Sequence, residues 1–130
     1  MPVDQSLVGR EFEPTSPYRV SAEKVRELAS ATGSVDDRVP ATFPIVMAFE
    51  AMNAFLADVG VELHRIVHGE QRFAYERPIV VGDELTATLS VASLRQIGGN
   101  DIIGTRSEIR DASGDLVCTT SATLVHRGDV

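Results

Sequence analysis

The sequence predicts an α+β fold in which a curved antiparallel sheet wraps around one central helix. The first observation is a run of thirteen residues, Ile45 to Ala57, in which eleven side chains are apolar. The second is the alternation of apolar and polar residues after Val61, which is typical of strands with one buried face. The third is two glycine-containing turns, at residues 98–100 and 112–115, which would join these strands as hairpins.

The segment before the apolar run predicts a short strand and a surface helix. Residues Tyr18 to Val20 are the strand candidate. Ser21 is a suitable N-cap for a helix over Ala22–Thr32, whose apolar residues recur with the spacing of one helical face. Gly33 suits the position after the helix, where a left-handed conformation is common. We expect residues 1–17, which are polar and proline-rich, to be irregular.

The apolar run predicts a central helix at about residues 43–58. Thr42 is its best N-cap candidate, Pro44 lies in the first turn, and Gly60 ends the helix. A helix that is apolar on nearly every side is expected to be buried on nearly every side. It is too short to span a bilayer, which takes about 20 apolar residues. Glu50, within this helix, would then be a buried carboxylate.

After the helix, a period of two predicts the sheet. In the first strand we place Val67, Phe73 and Tyr75 on one face and His68, Glu70, Arg72 and Glu76 on the other. Pro78 and the Gly82–Asp83 pair mark a turn. The next strand alternates polar residues with Leu85, Ala87, Leu89 and Val91. Strands over Ile102–Arg110 and Leu116–His126 complete an antiparallel meander.

Composition narrows the class of protein. A chain of 130 residues predicts one domain over residues 1–130. The formal net charge of −7 and the pI near 4.8 argue against nucleic acid as a partner, because nucleic-acid binders present a basic surface. Cys118 is the only cysteine, so we expect neither an intrachain disulfide nor a cysteine-based metal site. The N-terminus lacks the apolar region of a signal peptide, which predicts a cytoplasmic protein with no membrane partner.

Four segments resemble the MaoC-like dehydratase family, which has the hotdog fold. They are YRVSAEKVRELASATG, VPATFPIVMAF, HGEQRFAYERPIVVGDELTATLSV and RSEIRDASGDLV. The resemblance covers roughly residues 5–126 and is most specific from His68 to Asp83. It is closest to the actinobacterial short proteins related to the non-catalytic subunits of (3R)-hydroxyacyl-ACP dehydratases. The resemblance implies a hotdog fold whose sheet encloses the central helix.

The resemblance also implies a chemistry. Members of this family remove water from 3-hydroxyacyl thioesters of acyl carrier protein or coenzyme A, or add it back to a trans-2-enoyl thioester. No metal or redox cofactor is implied. Single hotdog domains pair edge strand to edge strand, so the resemblance implies a homodimer or a heterodimer with a catalytic hotdog subunit.

The catalytic pattern of the family, Gly-Asp-x-Asn-Pro-x-His, is missing from this sequence. Gly33 is followed by Ser34 instead of Asp, and neither Asn-Pro nor His lies between Gly33 and Thr42. Only the eight residues from Ser34 to Ala41 make this connection. Either the protein has lost the catalytic loop or a segment is deleted from the sequence. In both cases the chain lacks the Asp/His pair of the family.

Three residues remain as catalytic candidates. The stretch Pro44–Met52 resembles the central helix of a second hotdog dehydratase group, the FabA/FabZ-like one, in which a Glu works with a His earlier in the chain. Glu50 matches that Glu, whereas Asp36 stands at the position of the His. The plainer interpretation of Glu50 is a residue that reaches solvent or a partner subunit. His68 could act as a base if a cleft and an acid partner were present, and is otherwise a surface or interface residue.

Substrate-binding residues are inferred from the start of the central helix. Thr42 and the backbone N–H groups of Phe43 and Ile45 lie where a thioester oxygen could bind. Met47 and Phe49 could line an acyl tunnel, or could simply belong to the core.

A set of basic residues is the candidate contact for the phosphates of coenzyme A or of a carrier-protein arm. Arg65, Arg72 and Arg77 form it, together with His64 and His68. Charges scattered over a solvated face would explain the same pattern. We interpret His64 and His126, which have no partner pattern, as surface residues.

Three hypotheses of function follow. The leading one is a non-catalytic or substrate-channel subunit of a fatty-acyl dehydratase, whose partner supplies the Asp and the His. The second is an active homodimeric hotdog dehydratase or acyl thioesterase that uses Glu50. The third is a non-enzymatic protein that binds acyl thioesters.

Overall fold

The computed structural model describes residues 5–33, 39–62 and 65–127. After a short 3₁₀ turn at Gln5–Leu7, the elements are β1 (Tyr18–Arg19), α1 (Ala22–Thr32), α2 (Ile45–Val59), β2 (Ile66–Tyr75), β3 (Glu84–Ile97), β4 (Asn100–Arg110) and β5 (Leu116–His126). The strands form one antiparallel sheet in the order β1-β3-β4-β5-β2, and α2 packs on its inner face. The predicted α+β arrangement is confirmed. None of the helices in these ranges is long and apolar enough to cross a membrane.

Local chemistry at the ends of α1 agrees with the prediction. The Ser21 hydroxyl accepts a hydrogen bond from the Lys24 N–H at 3.1 Å, which satisfies one free donor of the first turn. Gly33 adopts the left-handed conformation at φ 76°, and its N–H donates back to the last turn. The helix therefore begins and ends at the residues that the sequence indicates.

The β3–β4 hairpin fixes the register of the middle of the sheet. Ile97 pairs with Asn100, so the loop consists only of Gly98 and Gly99. Both glycines have positive φ, at 59° and 82°. A two-residue turn of this kind matches the right-handed twist of the strands it joins, and glycine adopts it without steric cost.

The core lies between one face of α2 and the middle strands. Met47, Ala51, Met52, Phe55 and Leu56 are buried on the helix. They meet the inward residues of β3 and β4, which include Leu85, Ala87, Leu89, Val91, Ile103 and Ile109. The alternation predicted for β3 is thus confirmed, because each of its predicted apolar residues faces this core.

The opposite face of α2 is open, contrary to the expectation that the helix is buried on nearly every side. Phe49 is 44% exposed, and Glu50 and Ala54 are also exposed. The sheet curls around one side of the helix only, so apolar composition exceeds what this chain can bury. Glu50 lies on the open side, and the expectation of a buried carboxylate there is wrong.

The two outer edges of the sheet differ in whether another segment of the chain hydrogen-bonds to them. Along β3, the N-terminal segment supplies backbone donors, with the N–H groups of Gly9, Phe12 and Thr15 bonded to β3 carbonyls at 2.8–3.0 Å. The strand β2, at the other end of the strand order, has no neighbour beyond it among the described residues. The N-terminal segment therefore covers one edge, whereas no described segment covers the other.

We predict that an aspartate on the enclosed face of α2 disrupts folding, whereas one on the open face does not. Ala51 is 5% exposed and Ala54 is exposed, so Ala51→Asp buries an unpaired charge and should lower the free energy of unfolding by several kcal/mol. Ala54→Asp should cost less than about 1 kcal/mol, since it carries only the lower helix propensity of Asp. Urea unfolding of both variants measures the difference. Equal losses would contradict the one-sided enclosure of α2.

Candidate functional site

A narrow crevice lies between the N-terminal half of α2 and the inner face of the sheet. Ile45, Ala48, Phe49 and Met52 form its helical wall. The sheet side includes polar residues from three strands, namely His68, Gln71, Thr105, Ser107 and Thr120. The free volume is about 10 Å³, close to what a single water molecule needs. The crevice thus has an apolar wall and a polar floor.

The polar floor follows from the register of β4 and β5. Ser107 and Thr120 are direct cross-strand partners, and Thr105 pairs with Ala122. Residues two apart on a strand share a face, so Thr105 and Ser107 lie on the same face as the core residue Ile109. These hydroxyl-bearing residues occupy positions that the rest of the sheet fills with aliphatic side chains.

A bulge at Gly69 determines which residues of β2 face the crevice. His68 pairs with Leu124 and Glu70 pairs with Thr123, so one residue of β2 has no partner across the ladder. The bulge reverses the alternation, as an extra residue in one strand does. The predicted faces are therefore wrong for two residues. His68 lies on the inner face with Phe73 and Tyr75, whereas Val67 lies on the outer face.

The three catalytic candidates are not brought together by the described structure. His68 reaches the crevice, but the described residues that line it include no carboxylate to pair with it. Glu50 is solvent-exposed on the open side of α2 and is not part of the crevice lining. Asp36 lies outside the described residues. A catalytic role for any of them stays a prediction.

The start of α2 differs from the predicted cap. The helix begins at Ile45 after Pro44, and no side chain caps it, so the N-cap assigned to Thr42 is wrong. A proline-bounded turn replaces the cap, in which the Phe43 N–H donates to the Pro40 carbonyl at 2.9 Å and the Ile45 N–H to the Thr42 carbonyl at 3.0 Å. Both donors assigned to a thioester oxygen therefore already have backbone acceptors.

The predicted substrate-lining residues divide between crevice and core. Ile45 and Phe49 line the crevice. Met47 and Phe43 are fully buried and belong to the hydrophobic core, where the Phe43 ring lies 6.3 Å from that of Tyr18. Thr42 is exposed beside the turn.

The three arginines assigned to phosphate do not form one patch. Arg65 and Arg77 stand at opposite ends of β2, and a strand of this length spans roughly 30 Å. Arg72 pairs with Glu70 at 2.8 Å on the outer face. The Arg77 guanidinium bonds to Asp83 at 2.9 Å and Asp111 at 3.2 Å, which joins two loops. His64, assigned to the same cluster, lies outside the described residues.

Comparison with known proteins identifies the family. The family described as FAS1-like, dehydratase domain region matches residues 6–120. This chain belongs to the FAS1-like dehydratase family. It is 42% identical to a UPF0336 protein of Leifsonia xyli subsp. xyli, in an alignment that covers 99% of each chain.

Solved structures place the fold among hotdog dehydratases of the MaoC-like type. The C-terminally truncated HadBC (3R-hydroxyacyl-ACP dehydratase) complex of Mycobacterium tuberculosis contains a chain with a TM-score of 0.85 and 26% identity, covering 96% of this chain and 99% of that one. The (R)-hydratase from A. caviae involved in PHA biosynthesis matches with a TM-score of 0.61 and 25% identity, covering 93% and 98%. The predicted family resemblance and the predicted hotdog fold are confirmed.

The Leifsonia relative has residues that this chain lacks. Its alignment with this chain spans 147 positions against the 130 residues here, so at least 17 positions of the relative have no counterpart. This chain therefore lacks at least 17 of the aligned positions that this relative has.

A buried polar network at the far end of the sheet was not predicted. The Nδ1 atom of His126 lies 3.1 Å from an Asp101 carboxylate oxygen, and the Gln96 amide donates to the other oxygen at 2.9 Å. His126 is 4% exposed, so its interpretation as a surface residue is wrong. The sequence could have indicated that His126 is buried, because it lies two residues after Leu124 on β5 and therefore on the same, buried face.

Two further groups near the crevice are held in their neutral forms. The Tyr75 hydroxyl donates to the Ala41 carbonyl and ties β2 to the turn before α2. Burial raises the pKa of Tyr75 to about 12. Burial also raises the pKa of the Cys118 thiol, its cross-strand partner, which disfavours a thiolate nucleophile.

We predict that the Arg77 contacts stabilise the fold in a pH-dependent way. The hydrogen bond from Arg77 is the main cause that lowers the pKa of Asp83 below its usual 3.8. A lowered carboxyl pKa stabilises the folded state above pH 3.8, and this contribution disappears as the pH falls through the lowered value. Arg77→Met should therefore cost about 1 kcal/mol at pH 7 and less as the pH falls below 4.

Urea unfolding at pH 7 and at pH 3 tests this expectation. Arg72→Met is the matched control, since its pair with Glu70 is solvent-exposed and should contribute only a few tenths of a kcal/mol. A loss in Arg77→Met that does not change with pH would contradict the role of the carboxylates.

Proposed function

We propose that this chain is the non-catalytic subunit of a (3R)-hydroxyacyl-thioester dehydratase. The observation that carries the proposal is the crevice beneath α2, whose lining in the described part of the chain contains no carboxylate. Dehydration of a 3-hydroxyacyl group needs a base at C2 and an acid at the departing hydroxyl. A catalytic hotdog subunit would supply both, while this chain, as one domain over residues 1–130, shapes the acyl pocket.

Two comparisons support a subunit of this kind. The matched Mycobacterium structure is a complex of a (3R)-hydroxyacyl-ACP dehydratase, which supports assembly with a second chain. The alignment with the relative that is 42% identical has 147 positions, whereas this chain has 130 residues, so at least 17 positions of the relative have no counterpart here. A shortened connection between α1 and α2 would account for them, since the family's Asp and His belong there.

The partner would bind at the outer edge of β2, which has no neighbouring strand among the described residues. Phe49, which lines the crevice together with His68 and Gln71 of β2, is 44% exposed, and Val67, on the outer face of β2, is 49% exposed. Unpaired strand edges with apolar flanks are usually covered by another chain. A second hotdog domain placed there would extend the sheet and cover the open face of α2.

The alternative that uses Glu50 as an autonomous acid or base is less well supported. Glu50 is exposed and does not line the crevice, so it lacks the enclosure that catalytic carboxylates usually have. The ligand in the leading proposal is an acyl thioester of coenzyme A or acyl carrier protein, and it requires no metal or redox cofactor.

We predict that a charge at Phe49 weakens the assembly without unfolding the chain. The complex with the catalytic subunit is measured by size-exclusion chromatography with light scattering. Phe49→Asp should lower its apparent mass, because the substitution places a carboxylate in the face of α2 that the partner would cover. Ile97→Asp is the control, since Ile97 is 56% exposed at the β3–β4 hairpin, away from β2. Assembly that survives Phe49→Asp would argue against this interface.

We predict that activity requires a second chain. Co-expression with a neighbouring gene product that carries the Asn-Pro-x-His loop should yield a complex that hydrates crotonyl-CoA, whereas this chain alone should not. Hydration by the pure chain that Glu50→Gln abolishes would instead establish the homodimeric enzyme. Acyl-thioester binding without turnover in every combination would establish the non-enzymatic binding protein.

A further inference from the structure

The side chain of Gln71 is the unexplained feature of the crevice. It lies on the inner face of β2, opposite Ala122 of β5, and lines the crevice. Its Nε2 atom is buried and has no hydrogen-bond partner among the described residues. A buried amide without a partner is costly for folding, so native proteins keep one chiefly where water or a ligand oxygen completes the bond.

The surroundings of this amide suit a ligand that carries an oxygen atom on one side and apolar atoms on the other. Thr105, Ser107 and Thr120 add three hydroxyl-bearing side chains to the same floor. Ile45 and Met52 offer an apolar wall on the other side. A saturated hydrocarbon chain in this space would leave the polar floor without partners, whereas a chain that carries a hydroxyl would satisfy part of it.

The size of the space agrees with one oxygen-bearing group. The free volume of about 10 Å³ holds a single water-sized group. A longer carbon chain has to displace a residue of the lining, and Phe49, which is 44% exposed, is an exposed member of it. The crevice as described therefore fits the oxygen-bearing group.

We propose that Gln71 is a specificity-determining residue that donates a hydrogen bond to a hydroxyl on the acyl chain. The crevice then selects hydroxyacyl thioesters over saturated acyl thioesters. This inference rests on the proposed function, because it assumes that an acyl thioester binds here. It concerns an oxygen on the chain and not the thioester carbonyl, which both classes of ligand carry.

The test is isothermal titration of the full chain, in the assembly in which it purifies, with (3R)-3-hydroxyoctanoyl-CoA and with octanoyl-CoA. The wild type should bind the hydroxyacyl ester about tenfold more tightly, the usual effect of one buried hydrogen bond. Gln71→Met keeps the length of the side chain but removes the donor. It should lose the preference while its affinity for octanoyl-CoA stays within about twofold.

Glu70→Gln is the matched control, since Glu70 is the residue of β2 before Gln71 and points to the opposite face. It should keep the tenfold preference. Retained binding of octanoyl-CoA shows that Gln71→Met is folded, and a thermal unfolding curve checks this independently.

The outcomes separate the two proposals. If the wild type binds both esters equally, or if Gln71→Met keeps the preference, the role of Gln71 is wrong while acyl-thioester binding stands. If neither ester binds at millimolar concentration, the proposed function fails and the role of Gln71 fails with it. A preference that only Gln71→Met abolishes supports both.

Discussion

The packing of one face of α2 against the middle of the sheet is the constraint on which the rest of the structure depends. Met47, Phe55 and Leu56 are almost fully buried there, and each such side chain contributes about 1.5–3 kcal/mol when it leaves water. The alternation of β3 and β4 serves this contact, because a one-residue slip would turn the aliphatic residues towards solvent. The two-residue Gly98–Gly99 turn then holds both strands in the register that the helix requires.

The same helix leaves an exposed apolar surface on which the proposed partner would bind. Its apolar side chains occupy more of the helix circumference than one sheet can cover. Phe49 is therefore exposed near strand β2, whose outer edge has no described neighbour. The N-terminal segment covers the β3 edge through backbone hydrogen bonds, and nothing comparable is described along β2. Phe49 shares the crevice lining with His68 and Gln71 of β2, so the proposed partner could cover the exposed ring and the open edge together.

The two ends of α1 were predictable from the sequence, whereas the register of β2 and the start of α2 were not. Ser21 caps α1 and Gly33 ends it as expected, since both act within one helical turn. His68 was assigned to the wrong face because the bulge at Gly69 shifts every residue before it, and a glycine in a strand suggests a bulge without fixing the register on either side. At the site, Thr42 failed as a cap because the surrounding prolines form a turn whose carbonyls take the backbone donors.

The polar floor of the crevice is informative because it is unfavourable for a purely structural subunit. Positions of β4 and β5 that face α2 would stabilise the fold more with aliphatic side chains, as Ile103 and Leu124 do nearby. Thr105, Ser107 and Thr120 instead line the crevice with Gln71, whose buried Nε2 atom has no partner in the described part of the chain. A chain that had become only a scaffold would be expected to fill this space with hydrocarbon, since such changes usually stabilise a core. The polar groups of this floor therefore agree with the proposed contact to a ligand, although the described crevice contains no acid–base pair.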